Sequence, residues 1–298
     1  MHESAHHELQ TLRDLLRYAI SQFNASKLSF GHGNDNAWDE AVYLLLHTLH
    51  LPLDTLEPFL DARVLPEERE RFLKLVERRK NERLPAAYLT GEAWLQGQRF
   101  MVDQRVIIPR SPISELLAQD LAPWVSNPED IDFVLDLCTG SGCLAVLAAL
   151  AFENAQVDAV DLSEQALEVA DLNIEHFGLD GRVATHRSDL FDQLPHCEYK
   201  VIVCNPPYVN EHSMQALPAE YRHEPAIALA GGEDGMDLIR RLLRDAPDFM
   251  AHDGILVLEI GNEYDHFIRA FPELDPVWLS TENTEDQILL LTREQLAS

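Results

Sequence analysis

The chain has 298 residues, 46% of them hydrophobic and 25% charged, a globular composition that excludes wholesale disorder. At roughly 150 residues per domain, this length provides for two domains with cores of their own. Lysine and arginine total 23 against 51 aspartates and glutamates; the net charge of −28 disfavours a protein that grips duplex nucleic acid. It favours a small ligand or a basic partner, unless the whole proteome is acidic.

The first elements read as helices. Leu9, Leu12, Leu15, Leu16, Ala19 and Ile20 recur at helical spacing. Asn36 is placed to cap a second helix with Trp38, Ala41, Val42, Leu45 and Leu46 on its apolar face. Pro66 suits the first position of a third, which carries Phe72, Leu75 and Val76 and runs to Arg83. No strand pattern precedes residue 85, so residues 1–84 are expected to form a helical bundle. Residues 85–112 change texture: Trp94-Leu95, a Gln96-Gly97 turn and Phe100-Met101-Val102 predict a β-hairpin, followed by a proline-bounded stretch, Pro109 to Pro112. Across residues 113–298 helices and strands alternate. Helices are expected at 113–122, 144–150 and after Ser163, with strands at 133–135, 157–160, near Val183, at 201–203 and at 255–258. Val277–Ser280 and Gln287–Leu291 are expected to pair as a terminal hairpin. Repeated βα units imply an α/β fold with a mostly parallel sheet.

Met1 to Arg17 holds no apolar core of a signal peptide, and no run of about 18 apolar residues exists, so neither a leader nor a membrane span is expected. The four cysteines, Cys138, Cys143, Cys197 and Cys204, make no CxxC pair; neither zinc nor disulfides are indicated, and a reducing cytoplasmic location is expected. Histidines such as His2, His6, His7, His32, His47 and His50 show no consistent ligand spacing, and no metal site is expected.

Asp136-Leu137-Cys138-Thr139-Gly140-Ser141-Gly142 follows one strand and opens a helix, and Asp161 ends the next strand about 20 residues on. Glycines let a ligand approach the backbone, and a carboxylate accepts both hydroxyls of a ribose. The same spacing, with Ala145, also satisfies the dinucleotide pattern, so a nicotinamide cofactor stays open on this loop alone. The bland alternative is a glycine turn with Asp161 capping the strand end.

Asn205-Pro206-Pro207-Tyr208 ends an apolar strand and narrows the choice. The prolines fix the backbone and remove two donors. The Asn205 side-chain oxygen and the Pro206 carbonyl are two acceptors suited to one NH₂ group, and Tyr208 offers a flat face to a planar amide or base. Holding both hydrogens of an amide favours the lone-pair-forward nitrogen of a transition state. Hydride transfer has no use for such a pair. Alone, the segment also reads as a proline turn after a buried strand.

With these motifs the chain resembles the class I S-adenosylmethionine-dependent amino methyltransferases, and over nearly its whole length the protein N5-glutamine methyltransferase family. The Ile108-Pro109-Arg110 stretch, the helical start and the hairpin carry the wider likeness. Release-factor enzymes of the family typically read Pro-Arg-Pro-Asp/Glu-Thr-Glu. Here Pro109-Arg110-Ser111-Pro112-Ile113-Ser114-Glu115 is one residue longer, which is similar to the branch acting on large-subunit ribosomal protein L-three. Phe30-Gly31-His32-Gly33, Asn36-x-Trp38-Asp39-Glu40-Ala41 and Tyr221-Arg222-His223-Glu224-Pro225 are similar to that branch too. The resemblance implies a Rossmann-like seven-stranded sheet with an N-terminal helical substrate-recognition domain (1–84), a hairpin linker (85–112) and a catalytic domain (113–298). It implies S-adenosylmethionine as cofactor, contacted by Cys138, Thr139, Gly140, Ser141, Gly142, Asp161, Asp189, Leu190 and Asn205. Asn205, Pro206, Pro207 and Tyr208 would hold the glutamine amide, with Asn205, Pro206 and Tyr208 closest to the chemistry; Arg110 would steer substrate or form a structural ion pair. Asp189 has a plain alternative as a turn cap. Where the family has the loop's first glycine this chain has Cys138, which is expected to avoid positive φ. Release-factor methylation, adenine N6-methylation of nucleic acid and a non-catalytic assembly role remain the alternatives.

Overall fold

The computed structural model describes residues 8–282 and 284–297; His2, His6 and His7 lie outside them. Two compact units emerge: residues 1–92 with 218–223, and residues 93–217 with 224–298.

The first unit is built from α1 (Leu12–Ala25), α2 (Ala37–Thr48), α3 (Pro66–Glu82) and the short α4 (Ala86–Thr90). Thr11 starts α1 in a reciprocal cap with Asp14, and the Asn36 side chain accepts from Trp38 N and Asp39 N at 3.0 Å to start α2. Pro66 opens α3, and Arg83, at φ +60°, ends it. Leu15, Leu16, Phe23, Leu44, Leu45, Phe72 and Val76 meet in one core, each burial contributing roughly 1.5–3 kcal/mol. Trp38 departs from expectation: it is 51% exposed. The buried face of α2 instead includes Glu40, drawn inward by Arg79, whose Nε lies 2.7 Å from its carboxylate. Arg79 also reaches Ser29 O (2.9 Å) and Glu220 (3.4 Å), and Arg83 binds Glu220 at 3.1 Å. Glu220 thereby joins a sequence-distant segment to this unit.

β1 (Glu92–Leu95) and β2 (Gln98–Met101) form the expected hairpin, turning through Gln96 and Gly97 at positive φ. The second unit holds a seven-stranded sheet of β3 (Phe133–Leu137), β4 (Gln156–Asp161), β5 (Val183–Arg187), β6 (Tyr199–Cys204), β7 (Met250–Glu259), β8 (Val277–Leu279) and β9 (Ile288–Thr292). Their order is β5-β4-β3-β6-β7-β9-β8, parallel through β7, with β9 antiparallel to both β7 and β8. In β6, Val201 to Cys204 is a continuous apolar run with every residue buried, as expected of a strand in a sheet covered on both faces. The α-helices of this unit are α5 (Ile113–Leu117), α6 (Cys143–Ala151), α7 (Glu164–His176), α8 (Glu211–Ala216, which buries none of its residues), α9 (Asp237–Asp245), α10 (Tyr264–Ala270) and α11 (Arg293–Leu296) among the described residues. α5 stops short of residue 122: Asp120 and Leu121 take positive φ, and Pro123 disfavours helical backbone before it. α8, α9 and α10 were not anticipated from the sequence. No helix among the described residues is long and apolar enough to cross a membrane.

Chain progression runs outward from β3 to β5, then returns to β6 on the other side of β3. This reversal opens a crevice beyond the carboxyl ends of β3 and β6, the place where open α/β sheets bind ligands.

Candidate active site

The loop leaving β3 is shaped by three left-handed residues, Cys138 (φ +60°), Gly140 (+55°) and Gly142 (+77°). Cys138 therefore does not avoid positive φ. The turn is held on both sides: Thr139 N donates to Val160 O at 2.9 Å, and Thr139 Oγ1 donates to Asp136 Oδ2 at 2.5 Å. Gly142 begins α6 where an added Cβ would stand 3.0 Å from Ala170 Cβ, so a side chain is excluded by packing as well as by φ. A Cβ on Gly140, in contrast, would meet no protein atom within 4 Å. Ser141 is buried, and its carbonyl accepts from Asn173 at 2.8 Å.

A cleft of about 350 Å³ lies against this loop, within the second unit. Cys138, Gly140, Asp161, Asp189, Leu190, Asn205 and Pro207 line it, so β3, β4, β5 and β6 each deliver residues at or just beyond their carboxyl ends to one cavity. Thr139, Ser141, Gly142, Pro206, Tyr208 and Arg110 are not among the lining residues. Asp161 stands at the end of β4, where its carboxylate accepts from Gly140 N and Ser163 N, each at 2.9 Å. A carboxylate has about four acceptor sites, so two hydroxyls are still accommodated. Burial raises its pKa, against the pull of the Ser163, Gly140 and Leu162 amides. The Asp189 carboxylate pairs with Arg241 at 3.1 Å, while its backbone N donates to Gln193 in a turn. Arg110 forks onto Glu224, at 2.5 and 2.8 Å, and Ile108 N donates to the same carboxylate at 3.0 Å.

The segment after β6 is fixed from behind. Tyr208 Oη donates to Glu259 Oε1 at 2.8 Å, and Ser111 Oγ donates to Glu259 Oε2 at 2.5 Å. Val209 N donates to Leu229 O and Gly231 N to Val209 O, tying the segment to residues 229–231. Glu259, Gly261 and the Gly231-Gly232-x-x-Gly235 run escaped the sequence reading. Their signals were an acid and a glycine closing an apolar strand, and three glycines within five residues.

A mostly parallel seven-stranded sheet with a glycine loop after its first strand and an acid ending the second defines a class I methyltransferase fold. Residues 113–220 match the family of the Methyltransferase small domain. The catalytic domain of hMettl16, solved in complex with MAT2A 3'UTR hairpin 6, shares the fold with a TM-score of 0.51 at 12% identity, over 78% of this chain and 84% of that one. The ribosomal protein uL3 glutamine methyltransferase of Bordetella pertussis is 66% identical over 99% of both chains. Its namesake in Burkholderia pseudomallei is 57% identical over 96% of both. The chain belongs to the family of ribosomal protein uL3 glutamine methyltransferases, and it is an enzyme. Class I methyltransferases in general draw their methyl group from S-adenosylmethionine.

Proposed function

We propose that this enzyme transfers a methyl group from S-adenosylmethionine to the side-chain amide nitrogen of a glutamine in ribosomal protein uL3, in the cytoplasm. One observation carries the reading: Asn205, the acceptor-bearing residue after β6, lines the same cleft as the glycine loop and Asp161. The residues fit the cofactor. Open space over the bare Gly140 backbone leaves room for a ligand, Asp161 supplies acceptors for ribose hydroxyls, and Asp189 with Leu190 provides a wall for adenine. Cys138, Thr139, Ser141 and Gly142 give the loop its shape. When bound, S-adenosylmethionine supplies an electrophilic methyl on a sulfonium sulfur.

The remaining chemistry belongs to the chain. The Asn205 carboxamide oxygen and the Pro206 carbonyl accept the two hydrogens of the glutamine amide, which localises the lone pair on nitrogen. That interaction strengthens as the nitrogen pyramidalises, so it lowers the barrier rather than merely tightening binding. Pro207 and Tyr208 keep the segment in shape, and Arg110, held by Glu224, forms an ion pair outside the cleft lining. Alignment of the reacting atoms contributes up to roughly 7–11 kcal/mol. The new N–C bond takes the nitrogen lone pair, the broken C–S bond leaves its electrons on sulfur, and the nitrogen gives its surplus proton to water. Burial and the adjacent Glu259 hold the Tyr208 phenol well above its ordinary value, so the phenol is not the base. The full-length likeness to the uL3 enzymes supports the ribosomal substrate over a release factor, and the net charge of −28 weighs against a nucleic-acid substrate.

The test is Asn205→Ala. It should bind S-adenosylmethionine within threefold of wild type and lose about 10²-fold or more in turnover, as for removal of a transition-state donor or acceptor. Turnover like that of wild type would remove Asn205 from the mechanism.

A further inference from the structure

The Asn205–Tyr208 segment ends in a side chain with unusually complete restraint. The Tyr208 hydroxyl is committed to Glu259 at 2.8 Å, and the other Glu259 oxygen is committed to Ser111 at 2.5 Å. Both partners of the carboxylate are hydroxyl donors, and Glu259 itself is buried. Glycines surround the tyrosine: a Cβ at Gly261 would approach its ring to 2.4 Å, at Gly231 its Cα to 2.7 Å, and at Gly235 its carbonyl oxygen to 2.3 Å. Tyr208 is therefore clamped at tip, ring and backbone while Asn205 and Pro207, one to three residues earlier, face the cleft.

Burying a carboxylate for packing alone is unfavourable, because each oxygen must recover in hydrogen bonds what it loses in hydration. Burial raises the Glu259 pKa, and the Ser111 and Tyr208 hydroxyls and the Arg110 charge pull it back. We propose that Glu259, steadied by Ser111, is a positioning residue that acts through Tyr208 to fix the Asn205–Tyr208 segment, and with it the Asn205 acceptor, at the cleft wall. The proposal rests on the acceptor role given to Asn205 and Pro206 above. A displacement of about 1 Å in such a group is enough to cost about 10²-fold in rate.

Four variants and two readouts test it: Glu259→Ala, Glu259→Gln, Tyr208→Phe and Ser111→Ala. Turnover is measured with uL3 and labelled S-adenosylmethionine. Separately, NMR of ¹³C-labelled tyrosine rings follows Tyr208 in the cofactor-bound enzyme. Glu259→Ala should lower kcat about 10²-fold with KM for uL3 and Kd for the cofactor within threefold of wild type. Glu259→Gln should stay within about fivefold, because its amide still accepts from Tyr208 and donates to Ser111. Tyr208→Phe and Ser111→Ala should lower kcat by smaller factors with the same split, and they carry the kinetic test if Glu259→Ala fails to fold. The Tyr208 ring should flip slowly in wild type and faster in Glu259→Ala and Ser111→Ala. Kinetics within threefold of wild type for Tyr208→Phe and Ser111→Ala, a loss carried by cofactor affinity, or unchanged ring signals would overturn the proposal. Should wild type leave uL3 unmethylated, the functional reading fails by itself, and the ring signals still decide whether Glu259 positions Tyr208.

Discussion

Cys138 holds a backbone conformation that glycine adopts freely and other residues adopt at a cost of roughly 1–2 kcal/mol. Its φ of +60° is imposed by the neighbours: Thr139 is tied by its backbone to β4 and by its side chain to Asp136. The residue type at Cys138 argued for ordinary backbone, and only the paired restraints on Thr139 reverse that expectation. Comparing Cys138→Gly with Cys138→Ala removes the thiol from both sides of the comparison. The glycine variant should be more stable by about 1 kcal/mol in chemical denaturation. Equal stability, or a more stable alanine variant, would show that the loop relaxes once the thiol is gone. Asn205, Asp161 and Gly140 were readable as residues because their chemistry follows strands in the right order. Glu259 was not, because a lone acid at the end of an apolar strand does not reveal that two hydroxyls from distant segments converge on it.

At the scale of elements, β3, its loop and α6 form one unit joined by Asp136. Asp136 Oδ2 accepts from Thr139 and from Ala145 N at 2.9 Å, whereas Oδ1 is buried with no hydrogen-bond partner. An ionised carboxylate so placed is costly, and burial, opposed by those two hydrogen bonds, raises its pKa from 3.8 to about 7. The folded protein therefore keeps a proton that the unfolded chain releases. Stability from this group is full below about pH 4, falls as pH rises toward about 7, and is level above that, a loss of about 4 kcal/mol. Urea unfolding from pH 4.5 to 8 should show this decline in wild type relative to Asp136→Asn; parallel curves would contradict it. Strand periodicity and caps made β3, β4, β6 and α7 legible. The early end of α5 was not, since it depends on Asp120 and Leu121 adopting left-handed backbone. α9 was missed beside the glycine-rich segment, although Ile239, Leu242 and Leu243 keep helical spacing.

For the whole molecule, the sequence conveyed a helical first part and an α/β second part, whereas the crevice at β3 and β6 depends on a strand order that the alternation of helices and strands does not state. It did not convey that residues 218–223 belong with the helical unit while Glu224 belongs with the sheet. That division depends on Glu220 finding Arg79, Arg83 and Ser29, and Glu224 finding Arg110, pairings that no periodicity announces. The most direct measurement of the central claim incubates the purified enzyme with labelled S-adenosylmethionine and ribosomal proteins from cells lacking it. A release factor is run in parallel, and mass spectrometry locates the label. A single methyl on a glutamine side chain of uL3 is the predicted result; label on the release factor alone, or none on either while the cofactor binds, would contradict it.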